Sequence, residues 1–444
     1  EIQNHLNLSI KILIKAICYN SNQAGYPYII LLDDMHWIDK MSLDMFEYII
    51  NTLNVENSRN NNDNNAFSQL LIFATYRNEF SIPESFKDDL NFKEVHLSPL
   101  KKEDSIELIK YSTEGIDISN QTILDLIDKS KGNPFFMRQW LCSMQEKRLI
   151  VYNSDHHEWQ WQLEALKVEN VTDQVASLLI ERMDRLSETT CRILLFSACL
   201  GTMFTLEDLS VVSGEDQVSI YLHLRYAEQK SLIATVMTSE EPRYTFLHDR
   251  IQEAAYALIP TEEKENYHLE IGKKLYDKVK DIPEKRNEKL FQIAGHMKQG
   301  VKEITDNYLE WGTLFYEAGI KARDTANFIL AKDYFQSGSD VIEKITQEER
   351  LPLMFALYKE IAACDYLLGN SDRGDEAIRK GLALSTDLLK RAELNITRIV
   401  GYCGLSKNNE ALVVGQEALI ELLGENFRVN SKVRAVLRLL IFRW

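Results

Sequence analysis

Across 444 residues there is no G-x-x-x-x-G-K-[ST] run, and the first glycine is Gly25. The glycine-rich turn whose backbone amides cradle phosphates is therefore missing from these residues. Positive charge is also short. The chain has 51 Lys and Arg against 67 Asp and Glu, a net charge of −16, whereas a nucleic-acid surface needs a concentrated positive field. No apolar run approaches the length of a membrane span, and no charged-then-apolar leader opens the sequence. The six cysteines (18, 142, 191, 199, 364 and 403) include no C-x-x-C pair. Scattered singly on apolar faces, they read as reduced core residues, and the expected location is cytoplasmic. The length leads one to expect about three domains with real cores.

The most informative stretch covers residues 28–39. Tyr28-Ile-Ile-Leu-Leu32 has no polar face, which predicts a strand buried on both sides. Asp33 and Asp34 follow at its carboxyl end, where parallel sheets meet their ligands. Two consecutive acids closing a buried strand are costly without a cation. The plainer alternative is a pair of solvated turn acids, but Asp39 already suits the cap of the next helix.

The segment Leu31-Leu-Asp-Asp-Met-His-Trp-Ile-Asp39 resembles the Walker B region of STAND-type ATPases, the signalling branch of the AAA-like P-loop proteins. The resemblance implies ATP and Mg²⁺ as cofactors, with Asp33 on the Mg²⁺ side and Asp34 as the catalytic, water-activating acid. His36 and Trp37 are expected to pack and orient the loop, with a metal role for His36 as the lesser alternative. Walker A is expected upstream of Glu1, so that this chain would be a fragment unable to bind ATP tightly. A degenerate ATPase without its P-loop is the competing account.

Residues 1–20 read as a helix and 20–25 as a turn. A helix carrying Met41, Leu43, Phe46, Ile49, Ile50 and Leu53 follows Asp39. The polar run 56–65 is expected to be a disordered insertion. A second buried strand, 69–75, leads into Arg77, and a third is expected at 94–97. Strand–helix–strand with apolar strands means a parallel sheet, half of an α/β nucleotide-binding domain. By the same resemblance, Arg77 stands at sensor 1 and would reach a γ-phosphate; an ordinary surface arginine is the alternative. Gly132-Asn133-Pro134 resembles the G-x-P motif of the STAND helical lid, where the proline packs on adenine. A turn between two helices would look the same.

From Lys101 the pattern is helical. Helices at 186–200, 205–212 and 215–229, then strands at 232–236 and 243–247, follow the order of a winged helix. Its recognition helix carries Glu215, Asp216 and Glu228 against Arg225 and Lys230, three acids to two bases. That sign argues against DNA and for an internal brace. Further on, Ala377 and Ala411 are 34 residues apart, the period of a tetratricopeptide repeat, and Ala331 leads a more distant copy. Phe246-Leu-His-Asp-Arg-Ile-Gln-Glu-Ala-Ala-Tyr-Ala-Leu-Ile-Pro260, His268, Ile271-Gly272, His296 and the segment 318–328 resemble very large signalling kinases that join a protein-kinase-like domain, such an ATPase region and often a histidine-kinase module. The sequence around His248 is expected to cap or pair locally.

The expected fold is mainly α with an N-terminal partial α/β P-loop NTPase sheet, then a helical lid, a winged helix and an α-solenoid. The boundaries fall at 1–98, 99–185, 186–262 and 263–444. The expected function is an ATP-dependent regulatory switch in a serine/threonine or hybrid histidine kinase, partnered by flanking output domains and by a protein on the repeats. A scaffold with a vestigial ATPase, or the regulatory region of a soluble adenylyl or guanylyl cyclase, are the alternatives.

Overall fold

The computed structural model describes residues 2–24, 28–59, 70–87, 92–119, 121–166, 175–238, 241–346 and 348–423. Two compact units result: Glu1–His96 with Ile320–Ala331, and Leu97–Gly319 with Lys332–Trp444.

The first unit runs α1 (Ile2–Ala24), β1 (Tyr28–Leu32), α2 (Lys40–Arg59), β2 (Leu70–Ala74) and the short α3 (Glu84–Lys87). β1 and β2 pair in parallel, Tyr28 opposite Leu70 through Leu32 opposite Ala74. Asp39 caps α2, accepting from the Ser42 amide at 3.1 Å and the Ser42 hydroxyl at 2.6 Å. Ile14, Cys18 and Ile49 pack with Tyr28, Ile30 and Leu70, while Met35, Ile82 and Phe86 pack with Leu32 and Ala74.

These contacts all gather on one side of the sheet. The opposite face is bare: Ile29, Leu31, Leu71 and Phe73 are 50, 72, 54 and 57 % exposed. Burial on both faces, expected from the continuous apolar run, is thus corrected. The pair has no described helix of α1–α3 on its second side, so burial alternates as in a one-faced sheet. The expected strand at 94–97 is also absent. Its alternation of Glu94, Val95, His96 and Leu97 finds no ladder, and Tyr76 holds Glu94 by a 2.5 Å side-chain bond instead. α1 continues to Ala24 and α2 to Arg59, further than the polar clusters there suggest; residues 60–65 of the expected insertion lie outside the described residues.

The second unit opens with α4 (Lys102–Ser112), α5 (Gln121–Lys129) and α6 (Pro134–Glu146). The hairpin β3 (Ile150–Asn153) and β4 (Glu158–Trp161), then α7 (Leu163–Leu166) and α8 (Val175–Met183), follow. Ile109, Ile123, Ile127, Phe136, Trp140 and Leu178 form their shared core. Next come α9 (Glu188–Leu200), β5 (Met203–Phe204), α10 (Leu206–Ser213), α11 (Gln217–Gln229), β6 (Ile233–Val236), β7 (Arg243–Phe246) and α12 (Asp249–Ala257). Ser187, Thr205 and Asp216 each cap a helix through the side chain, so the helices expected from 186, 205 and 215 start at Glu188, Leu206 and Gln217. β5 is too short for a periodicity signal, yet it completes an antiparallel sheet of order β5-β7-β6. The outward side of α11 presents Val218, Tyr221 and Leu222.

Eight helices finish the described chain: α13 (Lys264–Val279), α14 (Pro283–Gln299), α15 (Tyr308–Asp324), α16 (Phe328–Ile342), α17 (Leu351–Leu367), α18 (Ser371–Ala383), α19 (Leu388–Gly404) and α20 (Asn408–Leu423). Ala331, Ala377 and Ala411, the aligned positions, are all buried, in the first turn of α16, the middle of α18 and the first turn of α20. Close approach needs the small residues: a Cβ on Gly401 would fall 2.2 Å from the Tyr366 ring. Asp375 on α18 accepts from the Tyr366 and Tyr402 hydroxyls, each at 2.6 Å, and from Arg398 at 2.9 Å. Burial alone would raise its carboxyl, but these donors hold it below the usual range. Among the described residues no helix is long and apolar enough to cross a membrane.

Candidate functional site

The β1–β2 register decides the geometry around the paired acids. Leu32 lies opposite Ala74, so the next step along each strand brings Asp33 beside Thr75. The Thr75 hydroxyl donates to Asp33 Oδ1 at 2.5 Å and accepts the Asp34 amide at 2.9 Å. Backbone bonds reinforce the junction: the Thr75 amide donates to Leu32 O and the Met35 amide to Thr75 O, at 2.9 and 2.8 Å. One threonine therefore fixes both the side chain of the first acid and the backbone of the second. Sequence reasoning missed Thr75; the available signal was a hydroxyl residue closing the strand that pairs with the acid-tipped one.

Asp34 sits in the left-handed region, φ 53° and ψ 46°, which a carboxylate side chain tolerates better than most. Its side chain is 61 % exposed, and a single 3-10 turn, Met35–Trp37, follows it. The His36 side chain, in the middle of the turn, is 11 % exposed. The expectation that Trp37 packs is corrected: it is 66 % exposed, tilted on the His36 ring with centroids 5.4 Å apart. The short turn can bury only one of its two rings, and Met35 occupies the interior with His36. Arg77 follows two residues after Thr75, half-buried, with its carbonyl accepting the Phe80 amide at 2.9 Å.

Gly132 and Pro134 belong to the second unit. Gly132 is buried with φ +71°, and a Cβ there would lie 2.2 Å from Leu100 O. Its carbonyl accepts the Leu100 amide at 2.9 Å and its amide donates to Ser130 Oγ at 3.2 Å. Asn133 then caps α6 by accepting the Phe136 amide at 3.1 Å, and Pro134 opens the helix with an exposed ring. Phe135 stacks on His248, which caps α12 as expected, its Nδ1 accepting the Arg250 amide at 3.1 Å.

Asp33, Asp34 and Thr75 offer hard oxygen donors, the type that suits Mg²⁺. Among the described residues no group of three or more His, Cys, Asp and Glu side chains could hold a metal by itself. Two carboxylates are enough only where a phosphate or water oxygens complete the shell, so the donor set fits a nucleotide-borne cation better than a resident one.

No protein-family model matches the chain. It is similar to hybrid signal transduction histidine kinase G of Dictyostelium discoideum, 24 % identical over an alignment of 403 residues that covers 76 % of this chain. The same segment spans only 12 % of that relative. Among solved structures, a Signal Transduction ATPase with Numerous Domains protein with a tetratricopeptide repeat sensor from Pyrococcus horikoshii aligns over 92 % of this chain and 64 % of its own. Its TM-score is 0.36 and its identity 14 %. The chain is similar to one small region of a much longer signalling protein.

Proposed function

We propose that this chain is an ATP-dependent regulatory switch region within a larger signal-transduction protein, of serine/threonine or hybrid histidine kinase type. Asp33 takes the Mg²⁺ side and Asp34 orients the attacking water. Arg77 reports the γ-phosphate, and the Gly132–Pro134 turn reads the base from the lid. Residues 186–262 act as a winged-helix brace and the repeats after 263 offer a surface to a protein partner or to the flanking output domain. When bound, Mg-ATP supplies the charge that the two acids balance and the phosphate that Arg77 recognises. The phosphate cradle comes from another part of the longer polypeptide.

The observation that carries this reading is the Asp33–Thr75–Asp34 junction, in which the neighbouring parallel strand locks two acids at a strand's carboxyl end. The similarity to a histidine kinase supports the signalling context. The test is ATP and Mg²⁺ binding by the full-length protein and by residues 1–444 alone. Full-length protein should bind Mg-ATP and lose the Mg²⁺ dependence in Asp33→Asn, while residues 1–444 alone should not bind at micromolar ATP. Tight binding by the short chain would sink the domain assignment. The absence of a phosphate-cradling run among these residues favours a second reading, a scaffold with a vestigial site. Unchanged nucleotide affinity in full-length Asp33→Asn would select it.

A further inference from the structure

At the acid-tipped strand end, three of the four polar groups are tied down. Asp33 is held by Thr75, Thr75 is held by the Asp34 amide, and the turn behind them is closed by Trp37 and Ile38 amides donating to Asp34 O and Met35 O at 2.9 and 3.0 Å. The Asp34 carboxylate is the loose member. Beside it lies His36, whose side chain is only 11 % exposed and whose two ring nitrogens are both buried without a hydrogen-bond partner. A buried imidazole left unpartnered forfeits a hydrogen bond at each nitrogen. His36 Nδ1 stands 3.8 Å from Asp34 Oδ1, about 1 Å beyond hydrogen-bond length.

The geometry points to His36 as the positioning residue of Asp34. A shift of about 1 Å in the exposed carboxylate, as nucleotide fills the site, lets His36 donate Nδ1–H to Oδ1. The carboxylate is then aimed, with its other oxygen free to accept the proton of the attacking water. Trp37, tilted over the imidazole at 5.4 Å, limits the ring's swing from the solvent side. With the left-handed backbone at Asp34, its carboxylate and the ring come within 3.8 Å of each other. His36 itself touches no substrate. This inference rests on the switch reading above and deepens it.

The experiment is steady-state ATP hydrolysis by the full-length protein carrying His36→Asn, His36→Gln, His36→Ala, Asp34→Asn and the double variant Asp34→Asn/His36→Ala. Asn places its amide N–H near the position of Nδ1, whereas Gln mimics Nε2. If the bond to Asp34 operates, kcat should fall about 10- to 100-fold in His36→Gln and His36→Ala. KM should stay within about two-fold, and His36→Asn should recover to within about three-fold of wild type. The double variant should be no slower than Asp34→Asn, because the histidine acts only through the acid. Equal rates for His36→Asn and His36→Gln, or a loss confined to KM, would overturn the proposal. Asp34→Asn with full activity would instead sink the switch reading, and this inference with it. Should His36→Ala fail to fold, the Asn and Gln pair still decides the question, since both keep a polar side chain of near-native volume.

Discussion

The phenyl ring of Phe135 lies on the imidazole of His248, with centroids 4.1 Å apart and planes 26° from parallel. The first residue sits in the opening turn of α6, directly after Gly132–Pro134, and the second caps α12. A displacement of the α6 start therefore has a direct mechanical path to the helix that follows β7.

Substituting that pair should reveal the path as a coupling energy. Phe135→Ala and His248→Ala, separately and together, should show an interaction of about 0.5–1.5 kcal/mol in a double-mutant cycle followed by urea unfolding. Strict additivity would mean that the stack transmits nothing.

Gly132 offers a sharper test. Alanine there meets both an unfavourable φ of +71° and a Leu100 carbonyl 2.2 Å from the new methyl. The expected loss is about 2–4 kcal/mol, read as a lowered urea midpoint. Backbone cannot retreat as a flexible side chain can, so a loss below about 1 kcal/mol would contradict the geometry.

Arg182 on α8 is buried and bridges three partners. Nη2 donates to Glu146 Oε1 on α6 at 3.0 Å and to the Lys230 carbonyl after α11 at 2.8 Å, and Nη1 donates to Gln139. Arg182→Ala leaves the largely buried Glu146 carboxylate with Lys230 Nζ at 3.6 Å and frees the Lys230 carbonyl and Gln139, so a loss of about 1–3 kcal/mol is expected. Arg182→Lys keeps the charge without the fork and should recover only part of it. Chemical denaturation of both variants checks the order.

A pH dependence follows from His268 and His296. Their Nδ1 atoms are 2.9 Å apart, and Tyr256 Oη reaches His268 Nε2 at 3.0 Å. Burial, and secondarily the neighbouring His268, holds His296 down to about 4; burial, with Lys264 nearby, also lowers His268. An unfolded histidine titrates near 6.5. Between those values the unfolded chain binds protons that the native state refuses, so stability present above about pH 6.5 is lost as pH falls toward 4. From about pH 7 to about pH 5 the loss from His296 should be about 2 kcal/mol. Urea unfolding at both values should show it, and His296→Gln should flatten the slope.

How much of this was readable from sequence depended on local chemistry. The helices capped by Asp39 and Thr205 start within a residue of where the sequence puts them, and those capped by Ser187 and Asp216 start two residues after the expected 186 and 215. The acid pair was legible because charge rarely closes an apolar strand. Thr75 was not, since its role depends on β1–β2 register, a non-local pairing that no window of sequence contains. The same reason hid β5, whose two residues acquire strand character only from β7. The strand expected at 94–97 failed in the reverse sense: its composition suited a strand, but no partner strand lies beside it among the described residues. Burial of Ile29 and Leu31 was misjudged because apolarity states what a residue tolerates, not what is at hand to cover it.

The bare side of the two-stranded sheet carries a consequence for how this polypeptide survives in a cell. Ile29, Leu31, Leu71 and Phe73 form an adhesive plate on two short strands, the kind of surface that chaperones grip and that seeds precipitation. Expression of these residues alone should accordingly be limited by solubility before it is limited by folding energy. A ribosome releasing this segment exposes the plate at once, so holdase binding is expected to concentrate on residues 28–74.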